Sequence, residues 1–217
     1  MRVGVLGTGM VGQALATRFV ETGHDVVMGS RDAANEKAVA WAAGHADTGR
    51  ARPGTFADAA DHGEVVVNAT GGAVSLDVLR SAGAANLAGK VLLDVSNPMK
   101  PDSGFPPLLD PVNDDSLAER IQREFPEARV VKGLNTVNAD VMARPDQLPG
   151  RHDVFIAGDD AAAKEVVRGL LRDFGWGDDV RDVGGLSAAR GLEMYLLFWI
   201  NLRLSIGHNQ FNVRVVE

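Results

Sequence analysis

Three glycines near the start of the chain have the spacing of a diphosphate-binding turn. The segment Gly7-Thr8-Gly9-Met10-Val11-Gly12 has the pattern G-x-G-x-x-G. In such a pattern the first glycine permits a tight turn, the second lets backbone approach a ligand, and the third lets a helix pack on a sheet. Amide groups at the start of the following helix would bind phosphate oxygens. The pattern predicts a dinucleotide site, and a glycine-rich turn without a ligand is the alternative.

The elements around this pattern are those of a βαβ unit. Residues 1–7 form an apolar run short enough for one buried strand, and Val11, Leu15 and Phe19 recur at helical spacing. Gly23 ends that helix, and a second strand follows it. Strand, glycine turn, helix and strand in this order are the context that a dinucleotide site requires.

The residues after the second strand predict which nucleotide binds. An NAD site usually has an acidic residue there, which accepts hydrogen bonds from the ribose 2′-hydroxyl. Here Gly29 takes that position, and Ser30 and Arg31 follow with a hydroxyl and a guanidinium that can bind a 2′-phosphate. We therefore expect NADP. The alternatives are that Ser30 caps a helix while Arg31 is solvated, or that Asp32 is the ribose acid.

Small and polar residues follow three later buried strands. Residues 64–68, 90–95 and 128–133 read as parallel strands, and ligands gather at the carboxyl ends of such strands. The residues that follow these strands are Ala69, Thr70 and Gly71, then Asn97 and Pro98, then Leu134, Asn135, Thr136, Val137 and Asn138. We expect the first two groups to contact the cofactor and the third to form a substrate pocket. Ordinary turns are the alternative for each group.

Composition limits the class of protein. The chain has 217 residues, a formal net charge of −7 and no cysteine. These features disfavour a nucleic-acid binder and exclude disulfides and a cysteine nucleophile. We expect a cytoplasmic protein, because no apolar stretch reaches the ~20 residues of a membrane helix and the first strand is too short for a signal peptide. No glutamate–histidine spacing suggests a metal, and the five histidines read as structural or surface residues.

The rest of the chain predicts a two-part architecture. We expect an α/β fold with a Rossmann-type doubly wound parallel sheet in residues 1–150 and a small, mainly helical C-terminal domain in residues 151–217. Residues 50–55 read as a turn, and the proline-rich residues 101–111 as an irregular excursion. Residues 186–208 read as one long helix that is apolar nearly all round, which predicts a homodimer interface.

With these motifs, the chain resembles the coenzyme F420-dependent NADP oxidoreductase family, the NADPH-dependent deazaflavin reductases. The resemblance rests on residues 7–12, 29–31, 95–98, 157–160 and 185–190. It implies a Rossmann domain and a small C-terminal domain assembled as a dimer, with NADP(H) as cofactor and coenzyme F420 as second substrate. The cofactor-binding residues expected on this basis are Gly7, Thr8, Gly9, Met10, Val11, Gly12, Ser30, Arg31, Ala69, Thr70, Gly71, Asn97, Pro98 and Ala139.

One departure from the family concerns the second substrate. Where the deazaflavin reductases have a histidine and a proline after the sixth strand, this chain has Asn135 and Asn138. Together with residues 101–111 and the aromatic run at residues 195–199, this difference indicates a branch of the family with a reshaped pocket.

The chemistry that these residues suggest is hydride transfer. Transfer between nicotinamide and a flavin-like ring needs little acid–base help from the protein, and the sequence shows no catalytic dyad. We therefore expect an NADPH-dependent oxidoreductase acting on a small planar acceptor, a deazaflavin or a flavin. Two alternatives stay open. One is a reductase of a small imine or carbonyl compound, which would need a proton donor near Asn97 or Asn135. The other is a non-catalytic NADP-binding sensor.

Overall fold

The computed structural model describes all 217 residues as an α/β fold. The strands are β1 (Arg2–Leu6), β2 (Asp25–Ser30), β3 (Ala51–Thr55), β4 (Val65–Asn68), β5 (Val91–Asp94), β6 (Arg129–Gly133), β7 (Val154–Ala157) and β8 (Val180–Asp182). The helices are α1 (Met10–Glu21), α2 (Glu36–Ala43), α3 (Phe56–His62), α4 (Ser75–Ala82), α5 (Ala84–Leu87), α6 (Leu117–Glu124), α7 (Ala139–Ala143), α8 (Ala161–Phe174) and α9 (Ala189–Ile206).

All eight strands belong to one sheet, in the order β3-β2-β1-β4-β5-β6-β7-β8. Neighbouring strands are parallel except β6 and β7, which are antiparallel. The strand order changes direction between β1 and β4, and a crevice opens at such a switch point. The Rossmann-type α/β fold expected from the sequence is thus confirmed, with one antiparallel step. The predicted division at residue 150 stays a prediction, and the sheet itself continues across that residue because β7 pairs with β6.

Alternate residues of each strand face opposite layers of helices, because successive side chains of a strand point to opposite faces. Val3 and Val5 of β1 belong to a cluster of 30 buried residues that includes side chains of α1, α2, α7 and α8. Leu6 belongs to a second cluster of 19 buried residues, with side chains of α3, α4 and α6. The sheet is therefore covered on both faces, and its strand ends remain for a ligand.

Two segments differ from their predictions. Residues 51–55, expected within a turn, form β3, which pairs in parallel with β2 at the edge of the sheet. The edge position tolerates Pro53, because an edge strand can leave one side of its backbone unpaired. The long C-terminal helix is present, but it begins at Ala189, after a short 3-10 turn at residues 186–188.

Helix α9 has one side against the protein and one side in solvent. Leu192, Glu193 and Ile200 are buried, whereas Met194 is 41% exposed and Phe198 is 55% exposed. None of the helices combines the length and the hydropathy needed to cross a bilayer.

Candidate functional site

Two adjoining cavities open at the carboxyl ends of the strands. The first, of about 720 Å³, lies beside β1, β2 and β4, and the second, of about 380 Å³, lies beside β4, β5 and β6. They share Gly9, Ala69, Thr70 and Gly71 in their linings. The two cavities therefore form one crevice across the switch point of the sheet, where ligands bind in folds of this type.

The glycine turn after β1 lies where the two cavities meet. Gly7 has a φ of +117°, and its amide donates to the carbonyl oxygen of Gly29 at 3.0 Å. Gly9 precedes α1 without a side-chain cap, which leaves amides of the first helical turn free to bind a ligand. A Cβ added to Gly9 would meet no atom within 4 Å, so the space beside it is open. This cradle fits the diphosphate of a dinucleotide.

The residues expected to select the nucleotide line the far side of the first cavity. Ser30, Arg31 and Asp32 all contribute to the lining. The Ser30 hydroxyl donates to the Asp32 carbonyl oxygen, and the Asp32 carboxylate accepts from the amide of Ala34 at 2.9 Å. The exposed Arg31 guanidinium has neither a hydrogen-bond partner nor an ion-pair partner in the protein, so it is free to bind a phosphate.

Sequence reasoning missed the other residues that line the first cavity. They are Asn35, Phe56, Val74, Asp77, Val78 and Ser81. Most of these residues come from α3, α4 and the turn before α4, so they are separated in sequence and share no motif. The mixture of an aromatic ring, aliphatic groups and a few polar atoms is typical of small-molecule sites.

The second cavity has a largely apolar lining without any ionisable side chain. In addition to the four shared residues, it is lined by Met10, Val11, Val95, Ser96, Asn97, Met99, Asn135, Val137, Asn138, Ala139, Met142, Leu196 and Trp199. The loops after β5 and β6 thus meet α9 around one space. Sequence reasoning placed Leu196 and Trp199 on the apolar helix without seeing that both would face this space.

Some of the expected site residues line neither cavity. Leu134 and Thr136 are buried, with 0% and 2% exposure, behind the residues that form the second cavity. Pro98 and Gly12 are also absent from both linings. These four residues therefore do not line the crevice, whereas the other expected residues do.

Two asparagines connect the loops around the second cavity. Asn97 Nδ2 donates to the carbonyl oxygen of Asn135, and Asn135 Nδ2 donates to Asn97 Oδ1, both at 3.0 Å. Asn135 Oδ1, Asn138 Nδ2 and Trp199 Nε1 are buried without a partner. An unsatisfied buried polar group costs about 1–3 kcal/mol. The three residues that carry these atoms line the second cavity, so this region contains polar groups that the protein itself does not pair.

A buried polar network lies beneath the strand ends. Thr70 Oγ1 donates to Asn68 Oδ1 at 2.6 Å, and Asn68 Nδ2 donates to Asp94 Oδ1 at 2.8 Å. The Asp94 carboxylate also accepts from Lys132 Nζ at 2.8 Å, and the same ammonium lies 2.9 Å from Glu193 of α9. The network thereby joins β4, β5 and β6 to the C-terminal helix.

Charge pairing controls protonation in this network. Burial alone would lower the pKa of Lys132, but the carboxylates of Asp94 and Glu193 raise it above its ordinary value. Burial raises the pKa of Glu193, and the nearby Lys132 ammonium opposes that rise. Lys132 is therefore an ammonium at neutral pH. Sequence reasoning gave these three residues no role, because Lys132 and Asp94 are 38 positions apart and no local pattern relates them.

Comparison with known proteins identifies relatives of this chain. Residues 2–98 match the family described as NADP oxidoreductase, coenzyme F420-dependent. The F420-dependent NADP reductase of Methanothermobacter marburgensis is 32% identical over 229 aligned residues, which cover 100% of this chain and 99% of that protein. The metalloreductase STEAP3 of Rattus norvegicus is 32% identical over 193 residues. That match covers 88% of this chain, which spans only 36% of the metalloreductase.

Solved structures show the same relationship. A protein from Arthrobacter sp. FB24, described as a candidate F420-dependent NADP reductase, is 46% identical and covers 100% of both chains with a TM-score of 0.94. An imine reductase from Streptomyces aurantiacus has a TM-score of 0.63 at 21% identity, covering 95% of this chain and 65% of its own, and so shares the fold alone. The full-length match to the Methanothermobacter protein confirms the resemblance seen in the motifs. The chain belongs to the family of F420-dependent NADP reductases.

Proposed function

We propose that this NADP-dependent oxidoreductase transfers hydride between NADP(H), bound along the crevice, and the deazaflavin coenzyme F420, held in the second cavity. The observation that carries the proposal is the second cavity, which adjoins the glycine turn and has a largely apolar lining without ionisable groups. Bound NADP(H) supplies or accepts the hydride at its nicotinamide ring. The protein then has to provide position and exclude water, which such a lining does.

The proposed cofactor contacts follow the crevice from one end to the other. Free amides after Gly9 bind the diphosphate, and Arg31 binds the 2′-phosphate with Ser30 beside it. Gly71 leaves open space at the meeting point of the two cavities, since a Cβ there would meet no atom within 4 Å. The nicotinamide then lies beside Asn97, where the loops after β5 and β6 meet.

The proposed acceptor site is the remaining wall of the second cavity. Met99, Met142, Leu196 and Trp199 present flexible and flat apolar surfaces, which suit a planar ring. Asn138 lies at the polar side of the same space, and its unpaired Nδ2 is a donor.

Reduction of an imine or carbonyl compound is less well supported. That reaction requires a proton donor close to the reacting atom. The second cavity offers hydroxyl and amide groups but no histidine, tyrosine, lysine or carboxylic acid. Hydride transfer to a deazaflavin needs no such donor in the lining.

We also propose that two copies of the chain associate through the exposed side of α9. Met194 and Phe198, one turn apart on that side, are each more than 40% exposed. Large apolar side chains on one helix face are a feature of protein interfaces. The expected cytoplasmic location likewise stays a prediction.

The direct test of the function is hydride transfer itself. Purified protein, NADPH and oxidised F420 are mixed, and loss of NADPH is compared with loss of the oxidised deazaflavin absorption band. We expect equimolar loss of both. FMN, FAD and a panel of cyclic imines serve as alternative acceptors. Turnover with imines alone would support the carbonyl or imine reductase, and tight NADPH binding without turnover on any acceptor would support a sensor.

A further inference from the structure

Asp94, Lys132 and Glu193 form a charged cluster that is buried beneath the second cavity. The exposed fractions of the three side chains are 0%, 0% and 2%. None of them lines either cavity. The cluster therefore cannot touch a ligand in the crevice, and any effect on the reaction has to act through the residues that it holds.

The Lys132 ammonium uses all of its hydrogen-bonding capacity in this cluster. Besides its two carboxylate partners, it donates to the carbonyl oxygen of Ser96 at 2.6 Å. A lysine ammonium has three donors, and here three acceptors surround it. Ser96 directly precedes Asn97, which lines the second cavity. Lys132 thus holds the backbone of the Ser96–Asn97 loop, which follows β5 on the proposed cofactor side of the second cavity.

Glu193 connects the same ammonium to α9 and to the start of α6. Its carboxylate accepts from the amides of Leu117 and Ala118 at the start of α6, at 2.8 Å and 3.1 Å. The carboxylate is therefore held in place independently of Lys132. Leu196, one turn further along α9, lines the second cavity. The cluster consequently joins the loop on the cofactor side to the helix on the acceptor side.

Stability alone is a poor reason for such a cluster. The cost of removing charged groups from water largely offsets their attraction, and apolar residues of similar volume often stabilise a core as well or better. Directional bonds of fixed length, by contrast, define the separation of the groups that they join. A cluster that joins the two sides of the second cavity from beneath is suited to setting the distance between them.

We infer that Lys132 is a positioning residue, which sets the distance between the Ser96–Asn97 loop and α9 and thereby the spacing of the two rings in the second cavity. The part of this inference that concerns the acceptor ring rests on the proposed function. The part that concerns the nicotinamide end of NADP(H) rests on the geometry of the loop alone, and it can be tested without an acceptor.

The test uses a neutral version of the cluster, Lys132→Met combined with Asp94→Asn and Glu193→Gln, which leaves no unpaired buried charge. Calorimetry measures binding of NADP⁺ and of 2′,5′-ADP, which has the adenosine half but no nicotinamide. We expect unchanged affinity for 2′,5′-ADP and about tenfold weaker binding of NADP⁺, which corresponds to about 1.4 kcal/mol. With F420 as acceptor, we expect kcat to fall and the kinetic isotope effect with 4-deuterated NADPH to rise.

The matched control is Arg190→Gln. This change removes the pair between Arg190 and Glu119, which also joins α9 to α6, at 2.7 Å, but touches neither Ser96 nor the cavity. We expect this variant to be less thermally stable than wild type but to keep the wild-type ratio of NADP⁺ affinity to 2′,5′-ADP affinity. The inference is overturned if the triple variant keeps the wild-type ratio of NADP⁺ affinity to 2′,5′-ADP affinity. It is also overturned if Arg190→Gln changes this ratio as much as the triple variant does.

Two further outcomes are separable. If the triple variant does not fold, Glu193→Gln alone decides the question through the same affinity ratio, and an unchanged ratio counts against Lys132. If the wild-type protein transfers no hydride to F420, the proposed function fails. The ratio of the two ligand affinities still decides whether the cluster positions the nicotinamide end of the crevice.

Discussion

A Cβ added to Gly12 would lie 2.1 Å from the carbonyl oxygen of Gly7, so these two residues of the glycine turn are in direct backbone contact. Gly9, between them, faces open space. Gly9 and Gly12 therefore have to be glycine for opposite reasons. Gly12 is required by the protein's own packing, whereas Gly9 is required only if something else approaches the backbone.

This difference predicts opposite effects of two alanine substitutions. Gly9→Ala should keep the free energy of unfolding within about 0.5 kcal/mol of wild type, because its surroundings are open, yet bind NADPH much more weakly. Gly12→Ala should lower the free energy of unfolding by about 3 kcal/mol, because the methyl group would overlap backbone. Urea unfolding and calorimetric titration measure the two quantities. Normal NADPH binding by Gly9→Ala would argue against a diphosphate at this turn.

The second prediction concerns nucleotide choice. Arg31→Ala should weaken NADPH binding by about 1.5–3 kcal/mol, the range for a hydrogen bond to a charged group, and leave NADH binding unchanged. Asp32→Ala is the matched control, because the Asp32 carboxylate accepts from the Ala34 amide beside the same cavity. It should preserve the preference. A selective loss of NADH binding in Asp32→Ala would instead identify Asp32 as a ribose ligand.

The third prediction concerns the acceptor wall. Trp199→Ala should raise the KM for F420 about fivefold, equivalent to about 1 kcal/mol of aromatic contact, with NADPH affinity unchanged. The ring of Phe211 stacks on Trp199 with centroids 5.3 Å apart, but Phe211 is absent from the cavity lining. Phe211→Ala should therefore have the smaller effect. Equal effects in steady-state kinetics would mean that Trp199 acts only through its packing.

The fourth prediction concerns stability against pH. Hydrogen bonds from Arg123, together with bonds from Arg120 and the Ser116 amide, lower the pKa of Asp115 from 3.8 to about 2. A depressed pKa means that the folded state favours the ionised carboxylate. Its contribution is complete above the unfolded pKa and disappears as the pH falls through the folded pKa. Asp115→Asn should cost about 1 kcal/mol at neutral pH.

Denaturant unfolding at a series of pH values checks this expectation. The difference in the free energy of unfolding between wild type and Asp115→Asn should shrink as the pH falls from 3.8 to about 2. Asp114→Asn, one residue earlier and exposed, is the control and should show little difference at any pH. A difference that stays constant over this range would mean that the carboxylate charge is not responsible.

The fifth prediction concerns assembly. Phe198→Glu places a charge on the exposed side of α9 without touching the crevice. We expect wild type to sediment as a dimer at micromolar concentration and Phe198→Glu as a monomer, because burying an unpaired carboxylate at an apolar interface is costly. A monomeric wild-type protein would contradict the proposed homodimer.

Much of the fold could be predicted because the strongest signals in the sequence are local. The run of residues 1–7, the glycine turn and the helix after it contain their own strand, turn and helix preferences. Residues 51–55 could not be assigned in this way, since Arg52, Pro53 and Gly54 favour a turn by composition. Their pairing with β2 is a long-range effect that overrides local preference.

The direction of β7 was also beyond sequence reasoning. Its apolar residues indicate burial, and burial is the same for a parallel and an antiparallel neighbour. The antiparallel pairing with β6 depends on how residues 134–153 turn back, which apolar periodicity does not report.

The candidate site could be predicted where a strand end supplied it. Thr70, Asn97 and Asn135 follow buried strands, so their place at the crevice was expected. Phe56 and Trp199 line the cavities from helices, and no sequence spacing predicts that position for them. Lys132 reads as a cation near the end of a strand, and only the fold brings its two carboxylate partners to it.

Glu193 contacts both Lys132 and the start of α6, and this has a consequence for the order in which parts of the chain can fold during synthesis. Its carboxylate accepts from the amides of Leu117 and Ala118 at the start of α6, which are synthesised 76 and 75 residues before it. Until α9 has emerged, the nascent nucleotide-binding half has bare amides at α6 and a lysine ammonium with one carboxylate fewer. The last helix to be translated thus supplies the missing hydrogen-bond acceptors of a helix that is made well before it.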